Sequence, residues 1–487
     1  SLTISAPFPY WKRAGTVLIG ARLIGLCIFG IRGRTGYNPI KVSAAYFCQD
    51  AFLNQLGVSP TFNLLTSVMD DMRPENKYLH LMDEQEAITK AQALLNRPGD
   101  ANVSPLAVYR RAAKADSVQQ RRPNVVLIMM ESMSAEFMKH FGQSETLTPF
   151  LDSLYTRSIS FRNFYSAGIH TNHGLYATLY SFPAMMKRNL MKGSVIPRYS
   201  GLPTVLKENG YYNLFFMTHE GQYDNMNAFF RTNGYDEVFS QEDYPADKVV
   251  NSFGVQDDFL YDYAIPVLNQ RAATGQPFFA TLLSISNHPP YVIPPFFHPK
   301  TSEPETQIVE YADWALRQFF EEARKQPWFD NTIFVLEGDH GKLVGDAECE
   351  LPESYNHIPL MIYSSRIQPE EKTTFGGQVD IQPTILGLLN IDYLQNNFGV
   401  DLLKEERPCM FYTADNMVVG RNDTLLYLYN YETQQELTYD IGNGKLNAVP
   451  MDDSFLPLKE YSFSMLQSAE FLVKHGKTLN SIPFTQQ

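Results

Sequence analysis

Cysteine is scarce in this chain of 487 residues, which has only Cys27, Cys48, Cys349 and Cys409. The four lie far apart and include no CxxC pair, so the sequence predicts neither a zinc ribbon nor a scaffold held by disulfides. Counting alone leaves open whether these thiols pair, and the redox compartment therefore stays open as well.

Basic charge is also in deficit. Forty Lys and Arg residues stand against 53 Asp and Glu residues, which gives a formal net charge of −13. Nucleic acids and anionic lipid surfaces both repel an acidic protein, so we expect no nucleic-acid partner and no general affinity for anionic lipid. With 44% hydrophobic residues the chain can bury a large core, and its length suggests two or three domains.

Long uninterrupted apolar runs are missing too. The most apolar stretch near the N-terminus is residues 16–31, TVLIGARLIGLCIFGI, and Arg22 interrupts it. A membrane span needs about 18 or more apolar residues. We therefore interpret this stretch as two strand-like pieces or a core helix, with a remnant of a membrane segment as the alternative. No signal peptide is visible, and because the chain begins with serine we expect it to be a fragment.

The rest of the sequence divides into three regions. Residues 1–120 predict an N-terminal region of juxtamembrane type with a helix over 83–97, followed by a polar linker. In residues 121–400, short apolar runs alternate with longer helical segments, which predicts an α/β domain with a mainly parallel central sheet and helices on both faces. Residues 401–487 predict a smaller subdomain of antiparallel strands and one amphipathic helix.

The residues that follow the predicted strands are the most informative. In an open parallel sheet, ligands bind beyond the carboxyl ends of the strands. Four apolar runs end there in groups suited to metal binding or proton transfer: Glu131, His219-Glu220, Asn287-His288 and Asp339-His340. One polar ending is ordinary, but four at one sheet edge indicate a site. Carboxylates with an imidazole suit a divalent cation such as Zn²⁺ or Mn²⁺, and three protein ligands leave a position open for chemistry.

A nucleophile is suggested by residues 164–184, FYSAGIHTNHGLYATLYSFPA, which predict a loop that leads into a helix N-terminus. Thr171 lies at that point, where free N–H groups and the helix dipole favour anions. Its hydroxyl could bind the metal and act as an alkoxide. The alternative interpretation is a simple helix N-cap for Thr171, with His170 and His173 as polar surface residues.

Six segments occur in order along the chain: NVVLIMMES, TPFLDSL, HTNHGLYATLYSFPA, SNHPPYVIP, LEGDHG and HIPLMIY. In combination they resemble the alkaline phosphatase superfamily, and within it the branch of sulfatase-like proteins that contains lipoteichoic acid synthases and phosphoglycerol transferases. The resemblance covers roughly residues 120–400.

This resemblance implies a ligand set and a nucleophile. One divalent metal, usually Mn²⁺ with Zn²⁺ or Mg²⁺ as alternatives, would be held by Glu131, Thr171, Asp339 and His340. Thr171 would also be the catalytic nucleophile, and His288 would contact the phosphate of the substrate. Gly341 would let the backbone turn away directly after the two adjacent ligands.

The resemblance also places a substrate-contacting loop after the second predicted strand of the domain. His219, with Asp224 or Asn225, would bind substrate there. Lipoteichoic acid synthases have a Trp and an Arg in this loop, whereas this chain has Asn225 and Met226. The phosphoglycerol headgroup is therefore in doubt.

The function implied by the resemblance is transfer of phosphoglycerol, or a related phospho-headgroup, from a phospholipid to a hydroxyl acceptor through a phospho-threonine. The acceptor would be a glycan or a glycerophosphate polymer. Alternatives are a phosphatase or phosphodiesterase, a sulfuric ester hydrolase, and a catalytically silent metal-binding sensor. Position 171 lacks the C/S-x-P-x-R pattern of arylsulfatases. The expected location is the extracytoplasmic face of a bacterial cytoplasmic membrane, facing the periplasm, with the membrane anchor missing from this chain.

Overall fold

The computed structural model describes residues 10–34, 39–48, 51–73, 77–97, 109–112, 122–193, 196–442 and 444–480. In those residues the helices are α1 Tyr10–Arg32, α2 Ala51–Leu56, α3 Pro60–Asp71, α4 Glu84–Leu95, α5 Pro149–Tyr155, α6 Thr171–Tyr180, α7 Leu202–Glu208, α8 Met226–Thr232, α9 Asp257–Ala272, α10 Pro304–Ala323, α11 Ile381–Leu388 and α12 Leu456–Lys474.

The strands are β1 Tyr109–Ala112, β2 Asn124–Met130, β3 Ile159–Tyr165, β4 Tyr212–Met217, β5 Glu237–Phe239, β6 Phe278–Leu283, β7 Thr332–Gly338, β8 Leu360–Tyr363, β9 Glu370–Gly377, β10 Tyr393–Asn396, β11 Met410–Thr413, β12 Met417–Arg421, β13 Leu425–Asn430, β14 Gln435–Gly442 and β15 Lys445–Ala448.

Eight strands form the central sheet, in the order β5-β4-β6-β2-β7-β8-β3-β9. Every residue of the central strands β2, β6 and β7 is buried, as expected for strands covered on both faces. One face carries α5, α9 and α10 and the other carries α6, α7, α8 and α11, each with its own apolar core. The predicted α/β fold, with a mainly parallel sheet between two helical layers, is therefore confirmed.

The sheet differs from the prediction in two respects. The run IPLMIYSS supplies β8, which is antiparallel to both β7 and β3. Strand β8 can run backwards because the chain re-enters the sheet through the loop over residues 339–359, with no crossover helix between β7 and β8. Strands β3 and β9, which pair in parallel at one edge of the sheet, and the short strand β5 at the other edge are not among the predicted strands. Strand β3 has partly exposed polar positions, so its pattern does not read as a buried strand.

The N-terminal apolar stretch is neither a pair of strands nor a core helix, so that interpretation is wrong. It forms the continuous helix α1, whose segment Ala14–Arg32 has a mean hydropathy of 2.0 and is not buried by any described part of the protein. Arg22 does not interrupt the helix, because a single long basic side chain can extend away from an apolar surface. By length and composition, α1 is long and apolar enough to cross a membrane.

The predicted helix over 83–97 is confirmed as α4, which begins after an Asp83 cap that accepts the Glu86 backbone N–H at 2.9 Å. It packs against α12, where Lys474 pairs with Glu84 at 2.9 Å. The predicted linker contains strand β1, which pairs antiparallel with β10. The remaining linker residues between 98 and 121 lie outside the described residues.

The C-terminal subdomain contains a five-stranded antiparallel sheet in the order β11-β12-β13-β14-β15. Helix α12 packs on β11 and β12 and buries one face of this sheet. The predicted antiparallel strands and terminal helix are therefore present. Because α4 also packs on α12, the region before residue 120 contacts this subdomain directly, and the boundaries at 120 and 400 stay predictions.

A buried carboxylate in α10 predicts a pH-dependent stability. Asp313 accepts the backbone N–H groups of Phe150 and Leu151 at 2.9 Å each, at the start of α5. Burial outweighs these two bonds and raises the pKa of Asp313 to about 7, from 3.8 in the unfolded chain. The folded state therefore binds the extra proton between about pH 4 and 7, and its stability should fall as the pH rises through that window, by up to about 1.4 kcal/mol per pH unit.

Asp313→Asn removes this titration, so the variant should be the less stable protein at pH 5 and should recover relative to the parent at pH 8. Urea unfolding of both proteins at the two pH values measures the difference. An equal difference in unfolding free energy at pH 5 and pH 8 would show that Asp313 ionises normally.

Candidate metal centre and catalytic cleft

The carboxyl ends of β2, β4, β6 and β7 meet at one edge of the sheet, because these strands are mutually parallel. Glu131 follows β2, His219 follows β4, His288 lies beyond β6, and Asp339-His340 follows β7. Strand β3 runs in the same direction and leads through a short loop into α6, which begins at Thr171. Strand β3, which is not among the predicted strands, therefore brings the candidate nucleophile to this edge.

Glu131, Asp339 and His340 form a compact cluster whose ligand atoms all lie within 4.8 Å of one another. The Nε2 atom of His340 is 3.8 Å from Glu131 Oε1 and 3.7 Å from Asp339 Oδ2. The His340 Nδ1–H donates to the carbonyl oxygen of Gly341 at 2.8 Å. This leaves the Nε2 lone pair facing the two carboxylates, as in metal-binding histidines that are oriented by a carbonyl.

Backbone and hydroxyl donors hold the two carboxylates in place. The Ser132 N–H donates to Asp339 Oδ1 at 2.8 Å, and the Ser132 hydroxyl donates to Glu131 Oε1 at 2.6 Å. Ser132 adopts a left-handed backbone with φ 49°, a conformation that costs free energy and is found at functional sites. The Asn287 side chain donates to the carbonyl oxygens of Glu131 and Ser132 at 3.2 and 3.0 Å.

The cluster fits a divalent cation. Asp339 Oδ2 is buried and has no hydrogen-bond partner among the described residues. Burial raises the pKa of Glu131 well above its usual range, and the charge of Asp339 raises it further. Two buried carboxylates beside an imidazole acceptor have too little positive charge around them, and a divalent cation with oxygen and nitrogen ligands would compensate this.

Thr171 is the first residue of α6, and His170 occupies the N-cap position. The interpretation of Thr171 as a simple N-cap is therefore wrong. The Thr171 hydroxyl lies 3.4 Å from Glu131 Oε2 and donates toward it. Its Oγ atom therefore borders the carboxylate cluster at a helix N-terminus, which favours an anionic group in the same place.

Close backbone packing holds the start of α6 against the end of β7. A Cβ atom at Gly174 would lie 2.1 Å from the carbonyl oxygen of Asp339, so only glycine permits this approach. Gln378 donates to the same carbonyl oxygen at 2.8 Å. Gly341 is not in the left-handed region. A Cβ there would lie 2.0 Å from the Ser354 carbonyl oxygen, so Gly341 is required by space and not by a turn.

A cleft of about 750 Å³ opens onto this cluster, and five of the candidate site residues line it: Glu131, Thr171, Asp224, His288 and His340. Burial lowers the pKa of His288 below its usual value. Its Nδ1–H donates to the Pro289 carbonyl oxygen at 2.6 Å. The ring packs on Phe253 with centroids 4.0 Å apart. His288 is therefore a held imidazole at the wall of the cleft.

Asp224 also lines the cleft, and its carboxylate pairs with Lys192 at 2.7 Å and accepts from Asn172 at 3.4 Å. Asp224 and Asn225 both have positive φ, 45° and 67°. Two consecutive non-glycine residues in this region are rare and costly. The loop after β4 is therefore held in a strained form where it borders the cleft.

Two candidate substrate-binding residues do not line the cleft. His219 is buried, with Nδ1 3.2 Å from the Glu220 carbonyl oxygen, and its ring packs on Tyr223 at 4.6 Å. Tyr223 itself lines the cleft. Asn225 donates to the Met191 carbonyl oxygen at 3.3 Å. Their direct contact with substrate stays a prediction, whereas their support of the loop is visible.

Lys342 and Tyr291 line the cleft but are not among the predicted site residues. Both lie inside the chain segments that supply the ligands, Lys342 two residues after His340 and Tyr291 three residues after His288. The sequence feature that could have identified them is their position in these strand-end loops, since a residue within a few positions of a candidate ligand lies near the site. Desolvation lowers the pKa of Lys342 to about 8.

Comparison with known proteins agrees with this architecture. Residues 123–391, more than half of the chain, match the sulfatase family. Lipoteichoic acid synthase 1 of Bacillus subtilis is 25% identical over 350 residues, which cover 66% of this chain and 53% of that protein. Lipoteichoic acid synthase of Staphylococcus saprophyticus is 24% identical and covered to 54%. The chain thus spans about half the length of these curated relatives.

Solved structures show the same fold. A protein in the alkaline phosphatase superfamily from Vibrio parahaemolyticus superposes with a TM-score of 0.72 and 25% identity, covering 83% of this chain and 99% of that one. The lipoteichoic acid synthase LtaP of Listeria monocytogenes gives 0.63 and 21% identity, over 73% and 93%. The chain belongs to the sulfatase family, and it is an enzyme of the alkaline phosphatase superfamily related to the lipoteichoic acid synthases.

Proposed function

We propose that this protein is a metal-dependent transferase that moves phosphoglycerol, or a related phospho-headgroup, from a phospholipid to a hydroxyl acceptor through a phospho-threonine at position 171. The observation that carries this proposal is the position of the Thr171 hydroxyl, 3.4 Å from Glu131 at the border of the Glu131, Asp339 and His340 cluster. The proposed transfer is thus supported by a hydroxyl, a candidate cation site and an open cleft that lie together.

The metal ligands proposed are Glu131, Thr171, Asp339 and His340. A divalent cation bound there would act as a Lewis acid that lowers the pKa of a neighbouring hydroxyl and offsets phosphate charge. We propose Mn²⁺ as the preferred metal, because three oxygen ligands and one imidazole suit this ion. Zn²⁺ and Mg²⁺ are the alternatives.

The protein residues carry out two displacements. Thr171 Oγ gives up its proton and bonds to phosphorus, the bond from phosphorus to the diacylglycerol oxygen breaks, and one proton goes to that leaving oxygen, so the step gains and loses no proton overall. His288 is proposed to hold the phosphate oxygens or to give this proton. Both roles require its imidazolium form, because Nδ1–H already donates to the Pro289 carbonyl oxygen and a neutral ring would present only a lone pair at Nε2. The acceptor hydroxyl then attacks phosphorus, loses its proton, and restores the Thr171 hydroxyl.

With water in place of the acceptor, the same geometry would give a phosphodiesterase or phosphatase, and a sulfate ester in the cleft would give a sulfuric ester hydrolase. A catalytically silent metal sensor is less well supported, because the hydroxyl and the complete carboxylate and imidazole set are present together. Met226, in the loop where the resemblance implies an arginine, is buried in the core. It cannot contact a headgroup, so we propose only the class of phospho-headgroup.

We further propose that α1 is the membrane anchor. This replaces the expectation from the sequence that the anchor is missing from this chain. Its 19-residue apolar segment would be about 28 Å long, close to the thickness of a bilayer core of about 30 Å. The chain after α1 docks on the loop that follows β4. There Arg34 pairs with Glu220, and the Lys41 N–H donates to Gln222 Oε1 at 3.1 Å. The anchor would thus leave the protein at the edge that carries the cleft, where a lipid headgroup can reach Thr171.

The anchor proposal predicts that the expressed chain sediments with bacterial membranes and resists carbonate extraction. Replacing Leu23 and Ile24 by arginine should release the protein to the soluble fraction, because each charge near the centre of a span costs about 2.5 to 3.5 kcal/mol. Membrane retention of the doubly substituted protein would show that α1 does not span the bilayer.

The metal proposal predicts that Asp339→Asn lowers the bound Mn²⁺ or Zn²⁺, because the amide cannot supply the charge that offsets the cation. Asp330→Asn is the matched control, since Asp330 precedes the opposite end of the same strand, β7, and is exposed. Elemental analysis after dialysis measures both. Equal metal content in the parent protein and in Asp339→Asn would exclude this ligand assignment.

The nucleophile proposal predicts that Thr171→Ala loses essentially all turnover of a phosphodiester, since no attacking oxygen remains. Thr171→Ser keeps a hydroxyl and should keep part of the activity. The midpoint of thermal unfolding should change little in either variant, because no side-chain cap is lost. Mass spectrometry of the parent protein after exposure to phospholipid should find the phospho adduct on the peptide that contains Thr171. A folded, metal-loaded Thr171→Ala protein with near-parental rate would make a bound water the better nucleophile.

A further inference from the structure

Lys342 is the one Lys or Arg among the described residues that line the cleft. It lies two residues beyond His340, in the loop that leaves the end of β7. Its ammonium donates to Asn287 Oδ1 at 2.5 Å and to the Tyr291 hydroxyl at 3.2 Å. The charge is thus held at a fixed point beside the cluster.

The surroundings of Lys342 leave one of its donors available. An ammonium has three N–H groups, and Asn287 and Tyr291 account for two. The Nζ atom also lies 5.2 Å from the ring centroid of Phe137 and 4.9 Å from that of Tyr291. Aromatic faces stabilise a cation without neutralising it. No carboxylate of the described residues forms an ion pair with Lys342, although Glu131 and Glu305 lie near enough to act on it electrostatically.

Lys192, a lysine near the cleft, differs from Lys342 in its pairing. Lys192 is neutralised by Asp224 at 2.7 Å and does not line the cleft. Met226, in the loop where the resemblance implies an arginine, is fully buried. Among the described residues that line the cleft, Lys342 is therefore the one basic side chain, other than the imidazoles, that an entering phosphate ester would meet.

We propose that Lys342 is a specificity-determining residue whose ammonium binds an anionic oxygen of the substrate phosphate. The proposal rests on the proposed function in one respect, that the cleft accepts a phosphate ester. It adds that recognition of the ester uses the loop after β7 and that Asn287 and Tyr291 aim the ammonium.

A structural role for Lys342 would have different consequences. Asn287 also holds the Glu131 and Ser132 carbonyl groups, so Lys342 could merely fix Asn287 and thereby the metal ligands. In that case its loss would reduce metal content and stability. An anion-binding role predicts that both remain at the parental level and that only the affinity for the anion falls.

The test is the binding of inorganic phosphate to the Mn²⁺-loaded protein, measured by calorimetry, in the parent, Lys342→Met and Lys342→Arg. Loss of one hydrogen bond to a charged group should weaken phosphate binding by roughly 10- to 100-fold in Lys342→Met. Lys342→Arg keeps the charge and should recover part of this loss. Lys325→Met is the matched control, because Lys325 follows the far end of α10 and is exposed.

Manganese content and thermal unfolding of each variant are measured in the same preparations. Unchanged phosphate affinity in Lys342→Met would overturn the proposal, and so would an affinity loss that appears only together with metal loss. The binding measurement needs no turnover. A protein that binds phosphate through Lys342 but transfers or hydrolyses no ester would therefore contradict the proposed function and leave this inference standing.

Discussion

Two carboxylates that are buried at the ends of adjacent parallel strands are the constraint on which this structure depends. Glu131 and Asp339 follow β2 and β7, which pair in parallel along their whole length, so the sheet register itself brings their charges together. Burying such a pair without a counter-charge costs several kcal/mol. A bound cation would offset this cost. The surrounding atoms support such a site, because Asp339 Oδ2 has no hydrogen-bond partner in the described residues and His340 Nε2 faces both carboxylates.

The same constraint explains features that have no other evident purpose in the fold. Ser132 takes a costly left-handed backbone, and in that form its N–H reaches Asp339 and its hydroxyl reaches Glu131. Because Gly174 has no side chain, α6 can approach the Asp339 carbonyl oxygen closely. Both features are local. Ser132 holds the two carboxylates in place, and Gly174 lets the helix that starts at Thr171 lie beside them.

The sequence predicted those parts that follow from strand periodicity. Runs that are buried on both faces are continuous and apolar, so β2, β4, β6 and β7 were recognised together with the polar residues at their ends. Strand β3 was missed because its exposed positions break the pattern, and the antiparallel direction of β8 depends on a loop connection that no local pattern encodes. Lys342 was missed for a related reason. Its role depends on contacts with Asn287 and Tyr291, which lie more than 50 residues away in the chain.

The carboxyl edge of the sheet is also where the other parts of the protein meet. From the C-terminal subdomain, Asp415 reaches His170, the residue before the candidate nucleophile, at 2.6 Å. From the N-terminal region, Arg34 pairs with Glu220 beside the strained loop of Asp224. Both contacts fix loops that follow strands of the central sheet at this edge, one before α6 and one after β4. The regions outside the central domain therefore contribute to the surroundings of the candidate metal centre, whose carboxylates and imidazole follow β2 and β7 and lie beside the start of α6.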